Sequence, residues 1–262
     1  MNSVNLRSNY IANYSNRSTP YLVINICRMI VVLYTKVLVM NDFTPPKVGN
    51  MELFHGTTNI ALKYDGGVII AADKRASAGY MVASPTVKKL LQIDDRNVMS
   101  IAGLPSDAFY LGKLLKAQIR LYELERERKI SSKAVANLLS TILHNQYRTG
   151  FPFFVGLLLA GFDEAGGHVF NYDASGSITD DPYTATGSGS PYALGALEAM
   201  WREDLPLDDA LHIALTALRS AVKKDIASGD GMNLFIIDKD GAREITKDKI
   251  KEVLGDRYPF AN

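Results

Sequence analysis

The sequence predicts an α+β fold in which antiparallel sheets are covered by helices. Three observations support this prediction. From Thr57 onward, strand-like segments come in groups, and each group is followed by two helical segments. Short turn signals such as Asp65-Gly66-Gly67 join neighbouring strand-like runs, and turns this short connect antiparallel strands. Strands and helices in separate blocks favour an α+β fold over a parallel wound sheet, in which the two alternate along the chain.

The first group contains four strand-like segments. In residues 57–64 (TTNIALKY), apolar side chains occupy every second position, which is the period of a half-buried strand. Residues 68–75 (VIIAADKR) form a second apolar run and predict a buried strand that becomes polar at Asp73. Residues 87–94 (VKKLLQID) and 97–104 (NVMSIAGL) flank an acidic turn signal and predict a second hairpin-like pair.

Two predicted helices follow this group. Pro105 suits the first position of a helix, and residues 106–129 continue it to a charged end. A second helix begins near Ser131 or Ser132. It carries an apolar stripe with helical spacing, formed by Val135, Leu138, Leu139, Ile142 and Leu143.

The second half of the chain repeats this order. It predicts three strands, two helices, one more strand and a closing helix, in residues 153–164, 168–178, 183–189, 190–201, 207–225, 232–241 and 246–254. Turn signals at Gly166-Gly167 and at 180–182 separate the strands. The longest of these helices presents a buried face made of Leu211, Ala214, Leu215, Leu218 and Val222.

Residues 1–56 differ from the rest of the chain. They carry five basic and two acidic side chains, and their apolar stretch 21–40 is interrupted by charged residues, with Arg28 near its middle. A membrane-spanning helix needs about 20 mostly apolar residues and a secretory signal needs an uncharged apolar core, so neither pattern is met. The sequence instead favours a removable leader, or a translation start at Met40 or Met51.

Composition limits the functions that fit. The chain has 262 residues, 47% of them hydrophobic and 22% charged, which is enough for one large domain with a full core. Its formal net charge of +1 gives no signal for binding nucleic acid or an anionic membrane surface. The single cysteine, Cys27, excludes an internal disulfide framework and fits a reducing compartment, so we expect a cytoplasmic protein.

Several kinds of active site find no support in the residues present. No cysteine follows Cys27, which excludes a thiol nucleophile beyond residue 56. The segment 186–191 (TGSGSP) has the spacing of neither a serine nucleophile elbow nor a phosphate-binding loop. The four histidines, at 55, 144, 168 and 212, show no metal-ligand spacing, and we expect them to be structural or on the surface. We therefore expect chemistry without a metal or a cofactor.

A hydroxyl remains as the candidate nucleophile. An internal threonine is a poor one, but an N-terminal threonine carries its own base, because its α-amino group, with an ordinary pKa of about 7.7–8.0, can take the hydroxyl proton. Cleavage of the Gly56–Thr57 bond would create that base, and glycine leaves the backbone before the bond free to turn. Gly-Thr pairs also occur at ordinary strand starts, so these two residues by themselves leave both interpretations open.

The chain resembles a known family at this point. The residues that carry the resemblance are GTTNIALKYDGGVIIAADKRAS, KKLLQIDDRNVMSIAGLPSDA, TGSGSPYALGALE and KKDIASGDGMN, which follow one another between residues 56 and 233. With these motifs in this order and spacing, the chain is similar to the β-type subunits of the 20S proteasome, and to the archaeal kind above all. The similarity extends from Thr57 to about residue 254. It implies the N-terminal nucleophile hydrolase fold, a four-layer αββα sandwich of two antiparallel sheets flanked by helices.

The resemblance also implies a set of catalytic residues. Thr57 would be the nucleophile, exposed by autocatalytic cleavage of the Gly56–Thr57 bond, so that 1–56 is a propeptide and 57–262 the catalytic domain. Asp73 and Lys89, each sixteen residues beyond the previous position, match the family's acidic and lysine positions. The lysine would depress the pKa of the terminal amine while the carboxylate orients the lysine. The alternative interpretation is that Asp73 and Lys89 form an ordinary ion pair on the surface, with no part in catalysis. The remaining implied residues are Gly103, as backbone oxyanion donor, and the supporting polar residues Ser188, Asp225 and Ser228.

A substrate-binding set follows from the same resemblance. Ser77 stands where the family commonly has threonine beside the substrate, whose backbone pairs there by strand addition. The specificity-pocket positions are Ala76, Val87, Leu91, Ile101, Pro105 and Phe109, which are apolar throughout and indicate cleavage after hydrophobic residues. Pro105 replaces the small residue more often found there.

The resemblance implies a threonine endopeptidase, a hydrolase made as a zymogen, that degrades unfolded polypeptides. Its partners would be α-type and other β-type subunits in stacked seven-membered rings, with a regulatory ATPase acting through the α ring. Two alternatives stay open: an unprocessed, catalytically silent β-type subunit that serves assembly, and an amidohydrolase of the same nucleophile type that acts on a small amide.

Overall fold

The computed structural model describes residues 56–78 and 80–260. The predicted leader up to residue 55, with Cys27 and the alternative starts Met40 and Met51, lies outside the described residues. Among the helices that are described, none is long and apolar enough to cross a membrane.

The described residues form twelve strands and five α-helices. The strands are β1 (Asn59–Tyr64), β2 (Gly67–Asp73), β3 (Ala76–Ala78), β4 (Met81–Ser84), β5 (Leu90–Gln92), β6 (Asn97–Gly103), β7 (Val155–Asp163), β8 (Gly166–Tyr172), β9 (Ile178–Asp180), β10 (Tyr183–Thr186), β11 (Met232–Asp238) and β12 (Gly241–Glu244). The helices are α1 (Pro105–Arg126), α2 (Ser132–Tyr147), α3 (Ser190–Met200), α4 (Leu207–Lys224) and α5 (Lys247–Leu254).

The strands build two five-stranded sheets in which every pair is antiparallel. One sheet has the order β10-β1-β2-β11-β12 and the other the order β5-β6-β7-β8-β9. The short hairpin β3–β4 stands apart from both and follows directly after β2. Gly66, in the tight turn after β1, and Gly166, the first residue of β8, adopt positive φ, a conformation that glycine adopts without steric cost.

Helix ends carry the signals that start and stop them. The Ser131 side chain caps α2 by accepting the Ala134 N–H at 3.2 Å, and Thr246 caps α5 in the same way from Lys249 at 3.3 Å. Helix α4 has two aspartates in its first turn and two lysines in its last, which complement the helix dipole.

Three apolar clusters show that the layers are stacked in the order helix, sheet, sheet, helix. Helices α3, α4 and α5 cover the β1–β2–β11 sheet through one cluster, and α1 with α2 covers the β6–β7–β8 sheet through another. The third cluster lies between the sheets and contains Ile70, Leu158, Val169 and Phe235. The predicted α+β class and αββα order are confirmed.

The structure differs from the sequence prediction at several elements. Strand β1 is buried on both faces, because Ile60 and Leu62 pack under the helices while Ala61 packs between the sheets, so the half-buried prediction was wrong. The single strand predicted over 168–178 is two strands with a turn around Asp173. Strands β3, β4 and β12 were not predicted, since each is only three or four residues long.

We expect Leu158→Ala to lower the free energy of unfolding by about 2–5 kcal/mol, because it leaves a cavity between the sheets where the side chain is fully buried. Denaturant unfolding measures the change. Leu121→Ala on α1, where the side chain is 50% exposed, is the matched control and should change stability little. Equal effects of the two substitutions would contradict the layer assignment.

Candidate active site

The candidate active site forms where five segments meet beyond the ends of the strands. Thr57 and Thr58 precede β1, Asp73 ends β2 and Lys89 precedes β5. The turn after β10 carries Ser188, and the loop 225–231 joins α4 to β11. The Asp73 N–H donates to Thr58 O at 3.1 Å, which ties the start of β1 to the end of β2.

Asp73 and Lys89 form a buried ion pair at the centre of this region. The Lys89 ammonium donates to Asp73 Oδ1 at 2.7 Å, and the two residues are 3% and 0% exposed, respectively. Backbone N–H groups complete the shell of the carboxylate: Thr58 donates to Oδ1 at 2.8 Å, and Gly229 and Arg75 donate to Oδ2 at 2.8 and 3.1 Å. The surface ion pair considered as an alternative is therefore excluded.

Burial shifts both members of the pair toward their neutral forms. Desolvation raises the pKa of the Asp73 carboxyl, and Lys89 together with the backbone donors opposes that rise. Desolvation likewise lowers the pKa of the Lys89 ammonium against the attraction of Asp73. A lysine in this state releases a proton more readily than one on the surface.

The Gly56–Thr57 peptide lies directly against this pair. The Thr57 hydroxyl donates to the Gly56 carbonyl oxygen at 2.6 Å, and the Lys89 ammonium donates to the same oxygen at 3.3 Å. Thr57 is 4% exposed. A Cβ on residue 56 would lie 1.9 Å from the Ala227 Cβ, so close packing against the loop requires glycine here, in addition to the freedom to turn expected from the sequence.

Ser188, Asp225 and Ser228 form one hydrogen-bonded network beside Thr57. Both serine hydroxyls donate to Asp225 Oδ2 at 2.6 Å, and the Thr57 N–H donates to Ser188 Oγ at 3.2 Å. Because Ser228 donates to Asp225, its oxygen accepts from the Thr58 hydroxyl at 2.7 Å. The network thus connects the backbone nitrogen of Thr57 to a carboxylate through one serine.

Glycines allow this network to approach the chain around Thr57. A Cβ on Gly187, which has a φ of +96°, would lie 2.0 Å from the Thr57 carbonyl oxygen. A Cβ on Gly189 would lie 2.0 Å from Thr58 Oγ1. Gly103, the expected oxyanion donor, lines the same cavity as Thr57 and has a φ of +94°; a side chain there would meet the Phe154 carbonyl oxygen at 2.3 Å.

Known proteins are similar to this chain in sequence. A family model described as "Proteasome subunit" matches residues 53–237. "Proteasome subunit beta" of Methanopyrus kandleri is 40% identical over 204 residues, which are 78% of this chain and 97% of the relative. "Proteasome subunit beta 2" of Aeropyrum pernix is 46% identical over 189 residues, 72% of this chain and 85% of the relative.

The chain belongs to the proteasome subunit family. The N-terminal nucleophile hydrolase sandwich, which the resemblance implied, is the fold of this family and agrees with the four layers described above.

Most of the residues predicted to form the specificity pocket of this proteasome-family chain line one cavity beside Thr57. It is lined by Gly56, Thr57, Ala76, Ser77, Val87, Lys88, Lys89, Ile101, Gly103, Pro105 and Phe109. Leu91 is the exception among the predicted positions, because it packs toward the helix-covered cluster next to Gly112. Ser77 donates to the Ala227 carbonyl at 3.1 Å and so ties β3 to the 225–231 loop.

Three site residues were not singled out in the sequence. Thr58 joins both the Asp73 shell and the serine network, as described above. Arg75 binds Asp230 with two hydrogen bonds of 2.7 and 3.1 Å and also donates to the Ile226 carbonyl at 2.9 Å, which holds the 225–231 loop over β2. Asp230 adopts a positive φ of +61° in this loop. In the sequence, its position between Gly229 and Gly231 is the local signal for a turn here.

Three histidines lie in structural positions away from this site, and His55 lies outside the described residues. His168 lies between Asp163 and Asp180 at 3.2 and 2.9 Å, His144 contacts the Ser175 carbonyl, and His212 contacts Arg257. In residues 56–78 and 80–260, no group of three or more acidic, histidine or cysteine side chains could hold a metal ion.

We expect Lys89→Met to destabilise the protein by about 3–5 kcal/mol, since it leaves the Asp73 charge buried without its partner. Adding Asp73→Asn removes that stranded charge and should recover part of the loss. Denaturant unfolding of both variants measures this, and Lys88→Met is the control on an exposed neighbour. A double variant less stable than Lys89→Met alone would contradict the pairing.

Proposed function

We propose that the chain is a threonine-type endopeptidase subunit, made as a precursor and activated by cleavage between Gly56 and Thr57. In this proposal residues 1–56 are the propeptide and residues 57–262 the catalytic domain. The single observation that carries it is the position of the Thr57 hydroxyl, 2.6 Å from the Gly56 carbonyl oxygen, which also accepts from Lys89 of the buried Asp73–Lys89 pair. Family membership supports a peptidase role and assembly into a proteasome core particle.

Activation begins with the hydroxyl already beside its target. Thr57 Oγ1 attacks the Gly56 carbonyl carbon while Lys89 donates to the carbonyl oxygen, on which negative charge develops. The C–N bond breaks, an ester joins Gly56 to Thr57 Oγ1, and the Thr57 amine is released with the proton from the hydroxyl. Water then hydrolyses the ester and leaves Thr57 as the N-terminal residue.

The released amine supplies the base for peptide hydrolysis. It takes the proton of its own hydroxyl, Oγ1 attacks the substrate carbonyl to give an acyl-enzyme, and water completes the cycle. In the uncleaved chain the Thr57 N–H donates to Ser188 Oγ at 3.2 Å, and the Ser188 hydroxyl donates to Asp225. The same serine would orient the released amine from one side. The Gly103 N–H is assigned to the oxyanion, and Ser228 supports Asp225.

The pocket beside Thr57 supports cleavage after hydrophobic residues. Ala76, Val87, Ile101, Pro105 and Phe109 line it together, and Lys88 is the charged residue at its rim in addition to buried Lys89. Ser77 lies on β3, whose backbone would pair with an extended substrate by strand addition. Unfolded polypeptides offer both the extended backbone and the apolar side chains that such a site requires.

The proposed partners are those of the family. We propose that the subunit assembles with α-type subunits and further β-type subunits into stacked seven-membered rings, with a regulatory ATPase acting through the α ring. The relatives named as β subunits support the β-type position in the particle.

Intact mass of the assembled protein tests activation. We expect the wild-type chain to start at Thr57 and Thr57→Ala to retain Gly56, because the variant lacks the attacking hydroxyl. Thr58→Ala is the matched control: its hydroxyl contacts Ser228 and not Gly56, so it should be cut. A wild-type chain that keeps Gly56 after assembly would instead support an unprocessed, silent subunit.

Activity should depend on pH through the Thr57 amine. Only the neutral amine accepts the hydroxyl proton, so kcat/KM falls as pH decreases through the pKa of the amine, whose ordinary value is about 7.7–8.0. Initial rates with an apolar peptide at constant ionic strength, with unfolding followed at each pH, measure the profile. Activity that increases as pH falls below 6, about two units under that value, would contradict the assigned base.

A further inference from the structure

Two asparagines behind the candidate active site have amide atoms without hydrogen-bond partners. Asn59 is fully buried, and neither its Nδ2 nor its Oδ1 has a partner among the described residues. Asn233 donates from Nδ2 to Glu244 at 2.7 Å, while its Oδ1, also buried, has none. Buried amides in native proteins are nearly always hydrogen-bonded, so these three atoms point to a further partner.

The strand register places both amides in one row across the first sheet. Asn59 on β1 is opposite Ala72 on β2, and Ala72 is opposite Asn233 on β11. Directly opposed residues of antiparallel strands project from the same face, and Ala72 belongs to the cluster between the two sheets. The two asparagines therefore project between the sheets on either side of a methyl group, with their Cα atoms about 10 Å apart, two strand spacings.

Small residues face this row from the other sheet. Thr186 continues the row beyond Asn59, and a Cβ built on Gly156 would lie 2.9 Å from Thr186 Oγ1 and 3.7 Å from the Ala102 Cβ. Gly156 therefore carries no side chain because Thr186 Oγ1 occupies that place, at the end of the row beyond Asn59. The unpartnered amide atoms lie farther along the same row, on the strands that flank Ala72.

The chemistry of the three atoms selects the occupant. Asn59 offers an acceptor at Oδ1 and two N–H groups at Nδ2, and Asn233 offers a second acceptor. One water molecule can donate to both acceptors and accept one of the two N–H groups. The Glu244 carboxylate beside Asn233 already accepts its Nδ2–H at 2.7 Å, and the other residues of the row are neutral. Internal waters of this kind bind two to four polar groups that would otherwise be unsatisfied.

We propose that Asn59 and Asn233 hold an ordered internal water between the two sheets, which links β1 to β11 across Ala72. The site lies one residue along the strands from Thr58 and Asp73. It braces the strands that carry the candidate nucleophile and its ion pair, and it contacts no substrate.

A crystal structure of the assembled protein tests the site directly. We expect a density peak within about 2.7–3.2 Å of an amide atom of Asn59 and of Asn233 Oδ1. A direct hydrogen bond between the two amides, or no peak between them, would overturn the proposal. This measurement uses the wild-type chain and does not depend on whether any variant folds.

The sign of a stability change provides a second test. Asn59→Leu replaces the amide with apolar atoms of similar size. If the amide holds water, the substitution leaves Asn233 Oδ1 unpaired and lowers the unfolding midpoint by about 2–6 °C; if the amide is simply unsatisfied, the substitution raises the midpoint.

A double-mutant cycle separates shared from independent effects. Asn59→Leu and Asn233→Leu should be less than additive, because both remove the same water. Ser100→Ala serves as the control partner for Asn59→Leu: its hydroxyl lies between the same sheets but already accepts the Leu158 N–H, so that pair should be additive. Additivity of the two asparagine substitutions, or a raised midpoint for Asn59→Leu, would overturn the proposal.

Discussion

The buried contact between Asp73 and Lys89 is the interaction on which the rest of the site depends. Two opposite charges that are removed from water are stable only when each is paired and their remaining hydrogen-bonding capacity is satisfied. Four donors satisfy the Asp73 carboxylate here, from the start of β1, the segment after β2, the residue before β5 and the 225–231 loop. Satisfying one carboxylate therefore brings four separate parts of the chain to one point.

The layered fold makes such a contact possible. Each sheet is covered by helices on one face and by the other sheet on the opposite face, so the strand ends that carry Asp73 and Thr57 are shielded from solvent. The turn before α3 adds to this shielding because it packs closely on residues 57 and 58. Gly187 and Gly189 permit this packing, since a side chain there would clash with the Thr57 carbonyl oxygen or the Thr58 hydroxyl. In this enclosed space one hydroxyl, one lysine and a backbone nitrogen suffice for the proposed chemistry, because the protein positions them before the reaction begins.

The sequence predicts the layers better than the details of the site. Long periodic segments such as α4 and the apolar run of β2 signal their own structure, and the block order of strands and helices predicts the class. Strands of three or four residues are too short to show an alternating apolar pattern, so β3, β4 and β12 were not predicted. Burial of β1 on both faces follows from the packing of distant segments and has no local signal. The same holds for the site: Asp73 and Lys89 were expected from the resemblance to the family's motifs. The role of Thr58 and the Arg75–Asp230 contact depends on a loop 155 to 170 residues away in sequence. Tertiary packing sets such long-range contacts. Leu91 carried the right apolar character, but its side chain faces the helices instead of the cavity.

A crystal structure of the assembled, processed protein with a peptide aldehyde would show whether Thr57 Oγ1 is the reacting atom. We expect an apolar terminal side chain in the cavity of Val87, Ile101 and Phe109, continuous density between Thr57 Oγ1 and the aldehyde carbon, and the aldehyde oxygen facing the Gly103 N–H. An aldehyde bonded to another residue, or bound in the cavity while the Thr57 hydroxyl remains free, would contradict this expectation.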